Sequence, residues 1–160
     1  MISKILQANI NCSNLERSLE FCRLLGFRVN LRLREGANPA IDRGFGLENS
    51  YGRGALLILG HDPRVTRLQL IEWRRPKSRA KPYAKVNHLG ICRIVLTTCN
   101  LGREYRRLKA HGVKFIAEPQ VLHTGVGAAR FACFYDPDGT VLELIEFKRE
   151  SSTLPASASA

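Results

Sequence analysis

Leu68-Gln-Leu-Ile-Glu-Trp-Arg-Arg75 recurs as Leu142-Glu-Leu-Ile-Glu-Phe-Lys-Arg149. Five of the eight positions are identical, and the other three are conservative exchanges. A repeated apolar segment of this kind marks the same structural element used twice. Working backwards, a second pair of matching segments appears. Gln7-Ala-Asn-Ile-Asn-Cys12 alternates as a strand should, and Ser13-Asn-Leu-Glu16 after it has the pattern of a capping box. A helix is predicted from about Asn14 to Leu24, with Leu15, Leu19 and Phe21 or Cys22 inward, ended by Gly26. The second copy reads Arg93–Thr98 as strand, Leu101–Ala110 as helix and Gly112 as its end. A shift of 86 residues superposes the two copies without a gap, Leu15 on Leu101 and Gly26 on Gly112.

Further strands are expected at Phe27–Arg34, Ala55–Leu59, Val113–Ala117 and Arg130–Tyr135. Asp136-Pro-Asp-Gly139 is a turn with Pro and Gly in favoured places. Each half is therefore β-α-β-β-β, and the chain is a pseudo-symmetric α+β protein. The expected organisation is one domain over 1–160, with a first module at 4–73, a basic linker at 74–86 and a second module at 87–148. The segment Glu35–Tyr51 is longer than a hairpin needs and reads as a loop or lid. The small polar tail Ser151–Ala160 reads as disordered.

Composition narrows the classes. The 160 residues are 44% hydrophobic and 24% charged, which suits a packed core and argues against wholesale disorder. No apolar run approaches the roughly 20 residues of a membrane span, and the start lacks a signal-peptide pattern. Five cysteines form no CxxC pair, so reduced thiols in a cytoplasmic protein are expected. Net charge is +11, and Arg74–Lys85 holds six basic residues, two prolines and no acid. That stretch reads as an exposed linker, not a nucleic-acid-binding helix, and no RNP-type strand accompanies it. Such a surface could attract nucleic acid, acidic lipid or an anionic metabolite, but it reads first as a solvated basic face; the expected partner is a small molecule, with no membrane and no nucleic acid.

The arrangement resembles the vicinal oxygen chelate superfamily, which includes glyoxalase I, methylmalonyl-CoA epimerase, extradiol dioxygenases and bleomycin-resistance proteins. The resemblance rests on Ser13–Phe21, Leu25-Gly-Phe27, and Asp136–Gly139 followed by Leu142-Glu-Leu144, and covers about residues 4 to 148. It implies two βαβββ modules whose strands curl into a mixed-sheet cup. In most members that cup holds a divalent metal. The resemblance places the metal positions at Gln7, Gln69, Arg93 and Glu143. Strand parity agrees: Gln7, Asn9 and Asn11 share one face, and Ala8, Ile10 and Cys12 the other.

Arg93 departs from the pattern. A guanidinium has no lone pair to give a metal, and its charge opposes one. The expectation is an Arg93–Glu143 pair in place of the metal, with no cofactor. A rival register takes His88 as ligand, giving Gln7, Gln69, His88 and Glu143 and a divalent metal. It needs a bulge and breaks the gapless repeat.

Glu143, Arg93 and His123 are the candidate catalytic residues, with His123 as acid, base or substrate contact. Gln7, Asn9, Gln69, Trp73 and Phe147 are candidate substrate-binding residues; the two aromatics could stack on a flat molecule or belong to the core. His111 suits a helix C-terminus, His61 a turn, and Glu35 and Glu48 lie in the long loop. The first functional reading is a metal-independent isomerase or lyase acting on a small, anionic or aromatic molecule. A metal-dependent epimerase or lactoylglutathione-lyase-like enzyme and a non-catalytic binding protein are the alternatives. Many members of the superfamily dimerise, so a homodimer is compatible.

Overall fold

A computed structural model describes residues 1–62, 64–124 and 127–147. The tail from Ser151 lies outside the described residues. Two compact units emerge: 1–84 together with 136–140, and 85–135 continued by the strand from Val141.

In the first unit the order is β1 (Gln7–Asn11), α1 (Leu15–Leu24), β2 (Phe27–Gly36), α2 (Pro39–Phe45), β3 (Tyr51–Leu59) and β4 (Arg67–Arg75). The strands make an open mixed sheet, ordered β1-β4-β3-β2, with β1 parallel to β4 and the rest antiparallel. Asn14, not Ser13, caps α1, accepting from Arg17 N at 3.1 Å. Ser13 instead donates from its backbone N and its Oγ to Asp138, at 2.9 and 2.6 Å. Glu16 therefore closes no capping box; its carboxylate receives Arg32 at 2.8 and 3.0 Å. Leu15, Leu19 and Cys22 are buried in α1, which packs on β2 and β4. Each fully buried leucine contributes about 1.5–3 kcal/mol.

The second unit repeats this plan with β5 (Ile94–Thr97), α3 (Leu101–Ala110), β6 (Gln120–Thr124), β7 (Gly127–Tyr135) and β8 (Val141–Phe147), ordered β5-β8-β7-β6. Asn100 caps α3 as Asn14 caps α1, and Gly26 and Gly112 both take positive φ, +94° and +81°. Such angles favour glycine, so the stop signal of each helix is chemical as well as positional. Tyr105 meets Phe115 edge to face and Phe115 meets Phe134 at a tilt, 4.6 and 5.3 Å between ring centroids, with Phe134 fully buried.

Three expectations need correction. Val113–Ala117 is not a strand: it contributes one bridge, Phe115 with Phe134, and the edge strand is β6. Pro119 lacks an N–H and interrupts the run, so β7 meets two short pieces instead of one strand. The Glu35–Tyr51 segment is no plain loop. β2 runs to Gly36, and α2 follows because Asn38 caps it, Pro39 sits in its first turn and Gly46 closes it at φ +65°. The basic linker also starts late, since Arg74 and Arg75 belong to β4. No helix among the described residues is long and apolar enough to cross a membrane.

Candidate functional site

Parity and register decide which side chains share a face. In the first unit, Asn9 lies opposite Gln69, Asn11 opposite Ile71, Ile71 opposite Gly54 and Trp73 opposite Gly52. Leu68, Leu70 and Glu72 point the other way, toward α1. The first face is the floor of a cavity of about 590 Å3. Gln7, Asn9, Gln69, Ile71 and Trp73 lie on that floor, and Ile41 and Phe45 of α2 wall it. Gly52 and Gly54 leave the floor open. A Cβ on Gly54 would come within 2.5 Å of Leu70 O, and one on Gly52 within 2.8 Å of Glu72 O.

The polar groups of the floor form a row. Gln7 Nε2 donates to Gln69 Oε1 and, at 2.9 Å, to Asn9 Oδ1. Beyond the floor, Trp73 Nε1 donates to Asn11 Oδ1 at 3.0 Å. These groups are neutral, so the floor presents directional donors and acceptors without a fixed charge.

In the second unit, Arg93 stands just before β5 and Glu143 in β8. Arg93 Nε donates to Glu143 Oε2 at 2.7 Å, and Cys133 Sγ approaches the same oxygen at 3.5 Å. The Glu143 side chain is 7% exposed and that of Arg93 39%. The carboxylate raises the Arg93 guanidinium above its ordinary value, which keeps it charged. Burial, then the nearby carboxylate, pushes the Cys133 thiol up to about 11. Glu143 lies opposite Cys133, whereas His123 lies opposite Ala128. Alternation therefore puts His123 on the other face of this sheet, on an exposed edge strand. The structure does not bring it to the Arg93–Glu143 pair. His88 sits in an exposed turn outside β5, its backbone N bonded to Lys85 O at 3.2 Å. Phe147 ends β8 with 63% exposure, so it is not core.

Residues 4–144 match the family model described as Glyoxalase/Bleomycin resistance protein/Dioxygenase superfamily. The chain belongs to this superfamily, the vicinal oxygen chelate group. Solved structures share the fold. A glyoxalase family protein from Bacillus cereus superposes with a TM-score of 0.77 at 21% identity, covering 92% of this chain and 97% of that one. A glyoxalase family protein from Enterococcus faecalis gives 0.62 at 20%, covering 89% and 97%. The trypanothione-dependent glyoxalase I of Leishmania major gives 0.62 at 21%, covering 91% and 87%. No curated protein matches the sequence.

The four residues to which the resemblance assigns the metal offer a divalent cation a poor ligand set. Within each unit they pair off, amide on amide and guanidinium on carboxylate. A metal at Glu143 would have to displace a charge-assisted hydrogen bond and then sit beside the displaced cation. Among the described residues no group of three or more His, Cys, Asp or Glu could hold a metal ion.

Two features escaped the sequence reading. Glu72 Oε2 accepts from Leu15 N at 2.9 Å and from Arg53 Nε at 2.9 Å. Glu146 does the same for its own helix, accepting from Leu101 N at 3.1 Å with Arg130 at 3.6 Å. The repeated Ile-Glu pair carried the signal: parity sends both acids to the helix side, where a carboxylate needs a helix N-terminus. The second feature is α2, whose signal was Asn38-Pro39.

Proposed function

We propose that this member binds a small organic molecule in the first unit's cavity without a resident divalent metal. The observation that carries this is the hydrogen-bonded amide row of Gln7, Asn9 and Gln69 on the floor of a cavity that Ile41, Phe45, Ile71 and Trp73 also line, with Arg34, Glu35 and Arg53 among its other lining residues. A few directional polar groups inside an apolar hollow of this size are what small-molecule recognition uses. Trp73, Ile71 and Phe45 suit a flat, apolar body, and the amides suit its oxygen atoms. The test offers Zn²⁺, Mn²⁺, Ni²⁺ and Fe²⁺ to tag-free protein, followed by mass spectrometry and a ligand screen read by tryptophan fluorescence. Far less than one metal per chain is expected, with hits weakened about tenfold by Gln69→Ala. Stoichiometric, tight metal would overturn the reading.

A catalytic reading, a metal-independent isomerase or lyase, is favoured by the Arg93–Glu143 pair. The Glu143 carboxylate would take a proton from a carbon acid and, in isomerisation, return it to another atom of the same substrate. The Arg93 guanidinium would stabilise the developing oxyanion. Loss of turnover in both Arg93→Ala and Glu143→Gln, with circular dichroism unchanged, is the expected outcome. Full turnover in both variants refutes it.

A further inference from the structure

The basic stretch Arg74–Lys85 divides into two kinds of cation. Arg74 is engaged by Glu35 at 3.5 Å and Glu72 at 3.3 Å. Arg75 lies over the Tyr51 ring, 5.4 Å from its centroid. Lys77 and Lys81 make no ion pair among the described residues, yet both line a second groove of about 480 Å3. The groove's other wall is Asn11, Cys12 and Ser13 at the end of β1, and Trp73 lines both this groove and the cavity.

One carboxylate, Asp138, also lines the groove. It is already compensated. It accepts Ser13 N at 2.9 Å and Ser13 Oγ at 2.6 Å, and it pairs with Arg17. Burial opposes its ionisation, but those bonds outweigh it and hold the carboxyl below its usual range. The charge left over in the groove is therefore that of Lys77 and Lys81.

We propose that this groove is an anion-binding subsite next to the cavity, so that the molecule bound is an organic anion: a flat, apolar body ending in a carboxylate, sulfonate or phosphate. The inference rests on the cavity reading above. Two lysines lining a concave groove, both exposed, focus a positive potential that a lone lysine on a convex surface does not. The net charge of +11 adds long-range attraction for the same ligands. Trp73 joins the two compartments, with its indole N–H turned to Asn11 on the groove side.

Trp73 is the chain's one tryptophan, so its fluorescence reports on both compartments. Two probes with the same ring framework separate them: 1-anilinonaphthalene-8-sulfonate, an anion, and N-phenyl-1-naphthylamine, its neutral counterpart. The wild type is expected to bind the sulfonate about tenfold more tightly. The double variant Lys77→Gln/Lys81→Gln should lose most of that preference and leave the neutral probe unchanged. Raising salt from about 50 to about 500 mM should shrink the preference far more in the wild type than in the variant. Equal binding of the two probes by the wild type, or equal weakening of both by the lysine variant, overturns the anion subsite and leaves the cavity reading standing. Lysine-dependent quenching by the sulfonate with none by the neutral probe supports the subsite and sinks the cavity reading. No quenching by either probe overturns both.

Discussion

Arg93 Nε and Glu143 Oε2 meet at 2.7 Å, at two of the positions where the superfamily resemblance places metal ligands. The carboxylate is buried and the guanidinium is partly open to solvent. Removing the cation strands a buried charge, whereas removing the anion frees a group that water can reach. Arg93→Ala is therefore expected to destabilise more than Glu143→Gln. About 1–2 kcal/mol is expected for Arg93→Ala, below the range for a wholly buried pair because Arg93 is half-exposed. Urea unfolding of the two single variants and the double variant measures the coupling.

Glu72 ties the start of α1 to the sheet. Burial works against its charge, but Leu15 N and Arg53 outweigh burial and hold the carboxyl below its ordinary value of about 4.5. A lowered folded-state value stabilises above the unfolded value, and that contribution is lost as pH falls through the lower, folded one. Glu72→Gln should cost about 1.5–3 kcal/mol at neutral pH and flatten the acid limb of the stability curve below about pH 4.5. Thermal melts from about pH 7 to 3 read both effects; an unchanged acid limb would refute the linkage.

Gly54 and Gly44 make a matched pair. A methyl on Gly54 would lie 2.5 Å from the Leu70 carbonyl, while one on Gly44 in α2 meets nothing within 4 Å. Gly54→Ala should destabilise by about 1–3 kcal/mol and narrow the cavity floor. Gly44→Ala should be neutral or stabilise by up to about 1 kcal/mol through helix propensity. Chemical denaturation of both variants checks the contrast.

Thiol reactivity should be graded. Burial pushes Cys12 up to about 11 and Cys22 up to about 12. Cys99 is exposed. With Ellman's reagent at about pH 8, Cys99 is expected to react first, and Cys12 and Cys22 only on unfolding. Fast labelling of Cys22 in the folded protein would contradict its placement on the buried face of α1.

Much of the fold was legible because its signals are local. The repeated Leu-x-Leu-Ile-Glu segments, the helices after Ser13 and before Gly112, and Gly26 and Gly112 as stops all act within a turn or two of chain. Ser13 was misread as a cap because its true partner, Asp138, lies 125 residues away. The positions Gln7, Gln69, Arg93 and Glu143 could be named from the repeat and from the resemblance, and so could the Arg93–Glu143 pair; the Gln7–Gln69 hydrogen bond was not foreseen.

The sequence by itself determined the two-fold repeat, α1, α3 and the strands that pair as β1 with β4 and β5 with β8, because periods of 2 and 3.6 are properties of the chain. Only the tertiary structure decided what their faces meet. It set His123 on the far face of its sheet through the β6–β7 register. It made α2 a wall of the cavity, turned Glu72 and Glu146 into anchors for helix starts, and set Lys77 and Lys81 along one groove. These outcomes depend on strand register and on contacts between residues far apart in the chain. A one-residue slip in register reverses a face, and which partner strand fixes that register is settled by residues far apart in the chain.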